Sequence, residues 1–448
     1  MFNFIVKYTP VLFQNILISL YNTKQYRLRH GGVYQNYIRY YEGCSKYNEK
    51  EAIKEANRRE KEFLDYATTY SDWFKDYHDY KCLQDFPVLE KSDLIKHLDK
   101  IATVNAKDGV ASYTGGTTGA SMKVLKLRED IQERHALLDF FRASHGYKLG
   151  EKCAWFSGKD IVTQKNINKG ICYRDDYINK IRFFSTFHIT DDNFNVYWDA
   201  LSKFAPEYIV GFPSSVYEIC ALAASKGLSL KRPVRVFFPT AETLLPIHRD
   251  VIGAVLGCKV VDQYASSEGA PFILECTDGG LHIHTSTGIF EVVDENMKPA
   301  QEGEVLVTSF TTKGTPLIRY RIGDRVKLLP KGSHCSCGSP FPLVEKIEGR
   351  TTDFIISPTH GKVNLGNISN CTKGVNGIIK FQIVQHEMES IVIYVVATES
   401  FTKSDEKTFL QALTQRLGAN MKISFEFATE IPKEKSGKFR IVKNLIDV

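Results

Sequence analysis

The sequence predicts an α/β protein in which a large domain of layered α/β sheets, residues 1–352, precedes a small α+β domain, residues 353–448. Three patterns carry this expectation. Between residues 208 and 264, short β-rich runs alternate with helical ones, as strand–turn–helix layers do. From 288 to 330 the pattern turns to longer antiparallel-looking β runs such as Gly303-Glu-Val-Leu-Val-Thr-Ser-Phe310. After Ile347-Glu-Gly-Arg-Thr-Thr-Asp353 a compact strand–strand–helix–strand pattern follows.

Each element has a local reason. Tyr208-Ile-Val210 reads as a buried strand, and Val216, Ile219, Cys220 and Ala223 recur at helical spacing until Gly227 stops the helix. Val234-Arg-Val-Phe-Phe238 and Lys259-Val-Val-Asp-Gln-Tyr264 read as further strands. Residues 43–100, rich in Lys, Glu, Asp and Tyr, read as largely helical. In the small domain, strands are expected near 379–385 and 391–397, a helix from Ser404 to Gly418, and a last strand alternating Ile423, Phe425 and Phe427.

A chain of 448 residues exceeds one typical core and calls for more than one domain. With 43% hydrophobic and 25% charged residues it has an ordinary globular composition. Ten cysteines without an even framework of spacings point to a reducing, cytoplasmic setting. A net charge of +6 is too mild to imply a nucleic-acid partner. That charge is concentrated: residues 1–41 hold Lys7, Lys24, Arg27, Arg29 and Arg39 and no Asp or Glu. The same segment carries the apolar run Val11-Leu-Phe-Gln-Asn-Ile-Leu-Ile-Ser-Leu-Tyr21, too short for a bilayer span and interrupted by Gln14 and Asn15. It lacks the layout of a signal peptide. Two readings stand, a helix docked on the main domain or a basic amphipathic segment touching an anionic membrane peripherally.

Chemistry concentrates first in Ser112-Tyr-Thr-Gly-Gly-Thr-Thr-Gly-Ala-Ser-Met-Lys-Val124. Gly115, Gly116 and Gly119 let backbone amides turn inward, and Thr114, Thr117, Thr118 and Lys123 add donors, a set suited to a polyphosphate. It is not a Walker A loop, because Ala120-Ser121 follows the last glycine where Lys-Ser/Thr is required. A second cluster joins Cys276 and His282 with Cys335-Ser-Cys337, a Cys₃His set suited to tetrahedral zinc. His284 and His334 are alternative fourth ligands, and free or redox-active thiols the alternative chemistry.

Five further segments accompany the glycine-rich loop in order: Thr240-Ala-Glu-Thr-Leu244, Tyr264-Ala-Ser-Ser-Glu-Gly269, Tyr320-Arg-Ile-Gly-Asp324, Gly349-Arg-Thr-Thr-Asp353 and Pro432-Lys-Glu-Lys-Ser-Gly-Lys438. Together the six resemble the core motifs of the adenylate-forming superfamily of acyl-CoA synthetases, adenylation domains and luciferases. Within it the chain is most similar to the phenylacetate–CoA ligase branch and its CapK-like capsule-biosynthesis relatives. The resemblance implies an ATP-dependent ligase that forms acyl-AMP from a carboxylic acid, then passes the acyl group to the thiol of CoA or to an amine. A nucleotide-binding scaffold without turnover is the reading from a different class.

The resemblance also implies roles. The loop would grip the β- and γ-phosphates of ATP. Ala241 and Glu242 would form the adenine slot with Tyr264, Ala265 and Ser266, next to Ser267. Glu268 would reach Mg²⁺, Asp324 the ribose hydroxyls, and Arg350 the ribose or phosphate of AMP. Lys438 would offset charge at the α-phosphate and on departing pyrophosphate. Asp353 would be the hinge about which a mobile small domain turns, and Phe187, His188 and Gly211 would border the acyl pocket. The cysteine cluster is similar to a structural zinc site of some phenylacetate–CoA ligase relatives. Departures from the pattern are Gly115 for Ser, Ala120-Ser121 for x-Pro, Ala265 for Gly and Ile322 for Thr.

Overall fold

The computed structural model describes residues 9–113, 122–159, 161–350, 353–365, 368, 370–372, 374–434 and 438–446. It is a mixed α/β protein whose chain forms two compact units, one of residues 1–23, 146–262 and 348–448, the other of residues 24–145 and 263–347.

The first unit contains a six-stranded sheet in the order Tyr173–Asp176, Ile181–Ser185, Cys153–Ser157, Tyr208–Gly211, Val236–Pro239, Lys259–Val260. All neighbours are parallel except the first pair. Parallel strands need crossovers, and the apolar-faced helices Phe194–Phe204, Pro213–Ser225 and Pro246–Leu256 supply them. Gly211 ends its strand where a Cβ would stand 2.4 Å from the Phe156 carbonyl, so the strands meet this closely only with glycine there. The same unit carries a four-stranded sheet, ordered Lys422–Phe427, Ser390–Ala397, Ile378–Glu387, Val442–Asn444, with the helix Lys403–Leu417 packed on it through Phe409, Leu413 and Leu417. Thr402 caps that helix and Asp405 answers from its first turn.

The second unit is built on a seven-stranded sheet, Gly288–Val293, Glu302–Ser309, Leu317–Leu328, Leu343–Arg350, Leu281–Ile283, Ile273–Glu275, Gln263–Tyr264. The helix Glu49–Tyr70 adds Phe63, Leu64 and Ala67 to its core. A two-stranded ribbon, Val110–Tyr113 with Lys123–Lys126, leads into the helix Arg128–Ser144.

One expected strand is corrected. The run 259–264 is two short strands in different sheets, Lys259–Val260 and Gln263–Tyr264. An apolar–polar run reads the same whether it crosses one sheet or leaves one for another, because periodicity carries no partner information.

His248, in the helix Pro246–Leu256, is 5% exposed and lies 4.9 Å from the Tyr217 ring. Burial pushes its pKa down to about 3. The unfolded chain, with an ordinary histidine value near 6.5, then binds a proton that the folded chain refuses, so stability falls as pH drops from about 6.5 toward 3. Between pH 6.5 and 5 the loss amounts to about 2 kcal/mol. His248→Asn should lose correspondingly less than the parent on urea unfolding at these two pH values; equal losses would refute the assignment.

Candidate active site

The glycine-rich loop residues Thr114, Gly115, Gly116, Thr117, Thr118 and Gly119 lie outside the described residues, as do 351–352 and 435–437. What flanks the loop is defined. Its ribbon pairs Tyr113 with Lys123, and Ser112 Oγ donates to the Ser267 carbonyl at 3.4 Å. Lys126 Nζ donates to the same carbonyl at 2.9 Å. Sequence reasoning singled out Lys123 and missed Lys126, three residues on.

The Tyr264–Gly269 segment is tied at several points. Ser266 Oγ accepts from the Gly269 and Ala270 amides at 3.2 and 3.0 Å, and Ser267 Oγ donates to Glu268 Oε2 at 3.3 Å. Ala265 is exposed and Glu268 half-buried. Behind the segment, the buried Arg134 guanidinium donates to the Gly269 and Ala270 carbonyls and to Thr311 Oγ1, each at 2.8 Å, and lies over the Phe272 ring. Burial lowers its pKa to about 10, so its charge persists at neutral pH. No motif announced Arg134; it is one basic residue on an amphipathic helix.

Tyr264 and Asp324 come together, the phenol donating to Asp324 Oδ2 at 2.7 Å. Asp324 reaches this position through a bulge. Glu304 pairs with Arg325 and Leu306 with Arg321, so Ile322, Gly323 and Asp324 face Val305 alone. A bulge of this kind re-aims side chains out of the ladder.

In the other unit, Ala241 adopts φ +66°, a left-handed conformation that costs a non-glycine residue roughly 1–2 kcal/mol. Glu242 is committed to backbone: Oε2 accepts from the Ser214 amide at 3.1 Å and Oε1 from the Phe439 amide at 2.8 Å. Desolvation raises its pKa against the pull of these bonds and of Lys433. It thus joins the first turn of the helix Pro213–Ser225 to the residue after Lys438. The carboxyl of Asp353, its pKa raised by burial, accepts from Arg440 Nε at 3.0 Å, and its amide donates to the Arg350 carbonyl at 3.0 Å. The Lys438 carbonyl accepts from the Glu434 amide at 2.9 Å.

Beside this lies a buried charge cluster that sequence reasoning missed. Glu218 meets Lys380 at 2.8 Å and Lys433 at 3.3 Å, with all three side chains under 10% exposed. Lys433 also donates to the Thr186 carbonyl at 2.6 Å and Ser215 Oγ at 3.2 Å. Burial lowers the Lys433 pKa, opposed by Glu218. A signal existed: Glu218 is the single charge in Pro213–Ser225. Of the expected acyl-pocket residues, Phe187 and His188 are half-buried just after Thr186, with His188 Nδ1 3.0 Å from Ser185 Oγ, and Gly211 is held by the strand contact above.

Cys276, His282, Cys335 and Cys337 bring their ligand atoms within 4.8 Å of one another. Cys276 Sγ lies 3.5 Å from Cys335 Sγ, and Cys337 Sγ 3.3 Å from His282 Nε2. Ligands at about 2.0–2.3 Å from a tetrahedral zinc stand roughly 3.5–3.8 Å apart, so the residues fit such an ion. His282 Nδ1 donates to the Phe341 carbonyl at 3.1 Å, which fixes the tautomer with the Nε2 lone pair toward the thiols. The Gly280 amide points at Cys276 Sγ, 3.3 Å away, and a Cβ at Gly280 would stand 2.7 Å from Cys335 Sγ. Among the described residues neither His284 nor His334 joins this group; His284 packs on Phe341 instead. Burial opposes ionisation of Cys335, but bonds from the Cys337 amide, His282 and the other thiols bring it down to about 6, while burial and its sulfur neighbours push Cys337 up to about 12.

Comparisons with known proteins agree with the fold. Residues 355–445 match the CapK C-terminal domain. Protein CapK of Staphylococcus aureus is 31% identical, with all of both chains covered. Indoleacetate–lysine synthetase of Pseudomonas savastanoi is 25% identical, over 56% of this chain and 62% of its own. Among solved structures, 2-hydroxyisobutyryl-CoA ligase in its postadenylation state with R3-HIB-AMP superposes with a TM-score of 0.69, at 16% identity, covering 89% of this chain and 90% of that one. The fold is therefore that of the adenylate-forming ligases. Within that superfamily, the chain belongs to the CapK family.

Proposed function

We propose that this protein activates a carboxylic acid with ATP and transfers the acyl group to the thiol of coenzyme A. In the first step a carboxylate oxygen attacks the α-phosphorus, the bond to the β-phosphate oxygen breaks, and pyrophosphate leaves. In the second the thiol sulfur attacks the acyl carbon, its proton is lost, and AMP departs. The observation that carries the reading is the Tyr264–Asp324 pair, an aromatic face beside a carboxylate with two acceptor oxygens, presented at a bulge. Charge-assisted bonds from ribose hydroxyls to such a carboxylate contribute roughly 1.5–3 kcal/mol each.

In this reading Tyr264, Ala265 and Ser266 receive adenine and Asp324 the ribose. Glu268 meets Mg²⁺, a hard ion that suits carboxylate oxygen. The 114–119 loop and Lys123, with Lys126 added, hold the phosphates. Ala241, Glu242 and Arg350 keep the nucleotide roles their motifs imply, and Phe187, His188 and Gly211 border the acid. Lys438 stabilises charge on the α-phosphate. Residues 353–448 act as a lid turning at Asp353, and Cys276, His282, Cys335 and Cys337 hold a structural zinc ion with no open position.

A second reading, transfer to an amine with formation of an amide, is favoured by the indoleacetate–lysine synthetase relative. Pyrophosphate release measured across a carboxylate library, with CoA or amines added in turn, tests both. Turnover that depends on CoA supports the first reading, and dependence on an amine replaces it by the second. Tight ATP binding without pyrophosphate release from any acid would overturn both in favour of a nucleotide-binding scaffold.

A further inference from the structure

The helix Val11–His30 is amphipathic in the inverse sense. Its buried residues are Gln14, Asn15 and Ser19, while Leu12, Phe13, Ile16 and Leu20 are 60%, 59%, 42% and 60% exposed. At 3.6 residues per turn these four apolar positions fall within an arc of about 100°.

The polar face is not solvated; it is the docking face. Gln14 Oε1 accepts from buried Arg174, Asn15 Oδ1 accepts from the Asp175 amide at 3.1 Å, and Asn15 Nδ2 donates to the Tyr177 hydroxyl at 2.9 Å. Ser19 Oγ accepts from the Tyr177 amide at 2.9 Å, and Asn22 donates to Asp176 at 2.9 Å. Asp175 is itself paired with Arg182. This zip of hydrogen bonds to the hairpin 173–185 fixes the rotation of the helix and sets the apolar stripe outward. Tyr177 and Ile178 at the hairpin tip are also more than half exposed. A helix that spends its polar groups on its own protein and leaves leucine, isoleucine and phenylalanine in water has its hydrophobic face the wrong way round for a monomer in solution.

We propose that this face docks the protein on an anionic lipid surface. Charge complementarity selects that occupant. Residues 1–41 carry five basic residues and no acidic one, and Lys24 and Arg27 are exposed on the helix itself. Apolar side chains that enter the acyl boundary, with lysine and arginine held at anionic headgroups, are the two components of interfacial helix binding. Among the described residues no helix is long and apolar enough to cross a membrane. This inference stands independently of the acid and acceptor proposed above.

The test is flotation of the full chain with vesicles of phosphatidylglycerol and phosphatidylcholine in about equal parts, against pure phosphatidylcholine. The parent chain should float with the anionic vesicles and lose most of that binding in high salt. A Leu12→Ser, Phe13→Ser, Ile16→Ser, Leu20→Ser variant should bind at least about tenfold more weakly, since each exposed apolar side chain contributes by its buried area. These residues are exposed, so an unchanged melting temperature and circular dichroism spectrum are expected and serve as the folding control. Lys24→Gln with Arg27→Gln gives a second variant that should weaken binding while leaving the apolar stripe intact. Failure of the parent to float, or equal flotation of the apolar variant, would overturn the proposal. So would a dimer in sedimentation that the apolar variant abolishes without vesicles, which would assign the face to a second copy of this chain.

Discussion

Lys438→Ala should lower acid-dependent pyrophosphate release by about a hundredfold or more while changing ATP affinity less than about threefold. The asymmetry follows from where the charge is needed. In the proposed reading, ground-state ATP would be held by backbone amides, Mg²⁺ and the ribose contacts. Attack on the α-phosphorus adds charge to the equatorial oxygens and to the departing pyrophosphate, and an ammonium placed there acts on the transition state far more than on the bound substrate. The local frame of Lys438 suits such delivery. Its neighbours Phe439 and Arg440 are fastened to Glu242 and Asp353, which anchors the backbone on the C-terminal side of the lysine. A pyrophosphate release assay beside equilibrium ATP binding checks the split. Loss of both together would make Lys438 a binding residue, and normal release would remove its role.

The second large effect concerns the cysteine cluster. The purified protein should carry about one zinc per chain, and Cys335→Ser or Cys337→Ser should remove most of it. Because metal affinity is folding free energy, the zinc-free variants should melt roughly 5–10 °C lower. Elemental analysis and a thermal scan read both quantities. Less than about 0.2 zinc per chain in the parent would sink the assignment, since a closed four-ligand site binds its ion tightly. His284→Ala is the control: with its ring on Phe341 rather than at the thiols, it should keep the zinc that His282→Ala loses.

The strand–helix alternation, the antiparallel stretch and the compact terminal pattern were legible in the sequence because each rests on local periodicity. So was the cysteine and histidine set, whose four members the fold brings together. What was hidden depends on partners far along the chain. The choice of His282 over His284 is made by a hydrogen bond to Phe341, 59 residues away. Arg134 and Lys126 act on the 264–270 segment from over a hundred residues upstream. Gln14 and Asn15 read as interruptions of an apolar run, whereas they are its point of attachment; a hydropathy pattern shows two faces but not which one meets the protein. The bulge that presents Asp324 depends on the pairing of its strand with Glu302–Ser309, which no local pattern shows.

The Glu218 cluster has a consequence for any motion of residues 353–448. A carboxylate clasped between two ammonium groups away from water is not a lubricated joint. Separating Lys433 and Lys380 from it strands ions in a low-dielectric pocket until solvent arrives, a cost of about 3–5 kcal/mol when one partner is lost. If residues 353–448 turn as proposed, such a contact would act as a detent, so that the segment leaves this pose in a jump rather than a drift. The timing of that swing would then depend on how fast water reaches three buried side chains, and not on the hinge peptide alone.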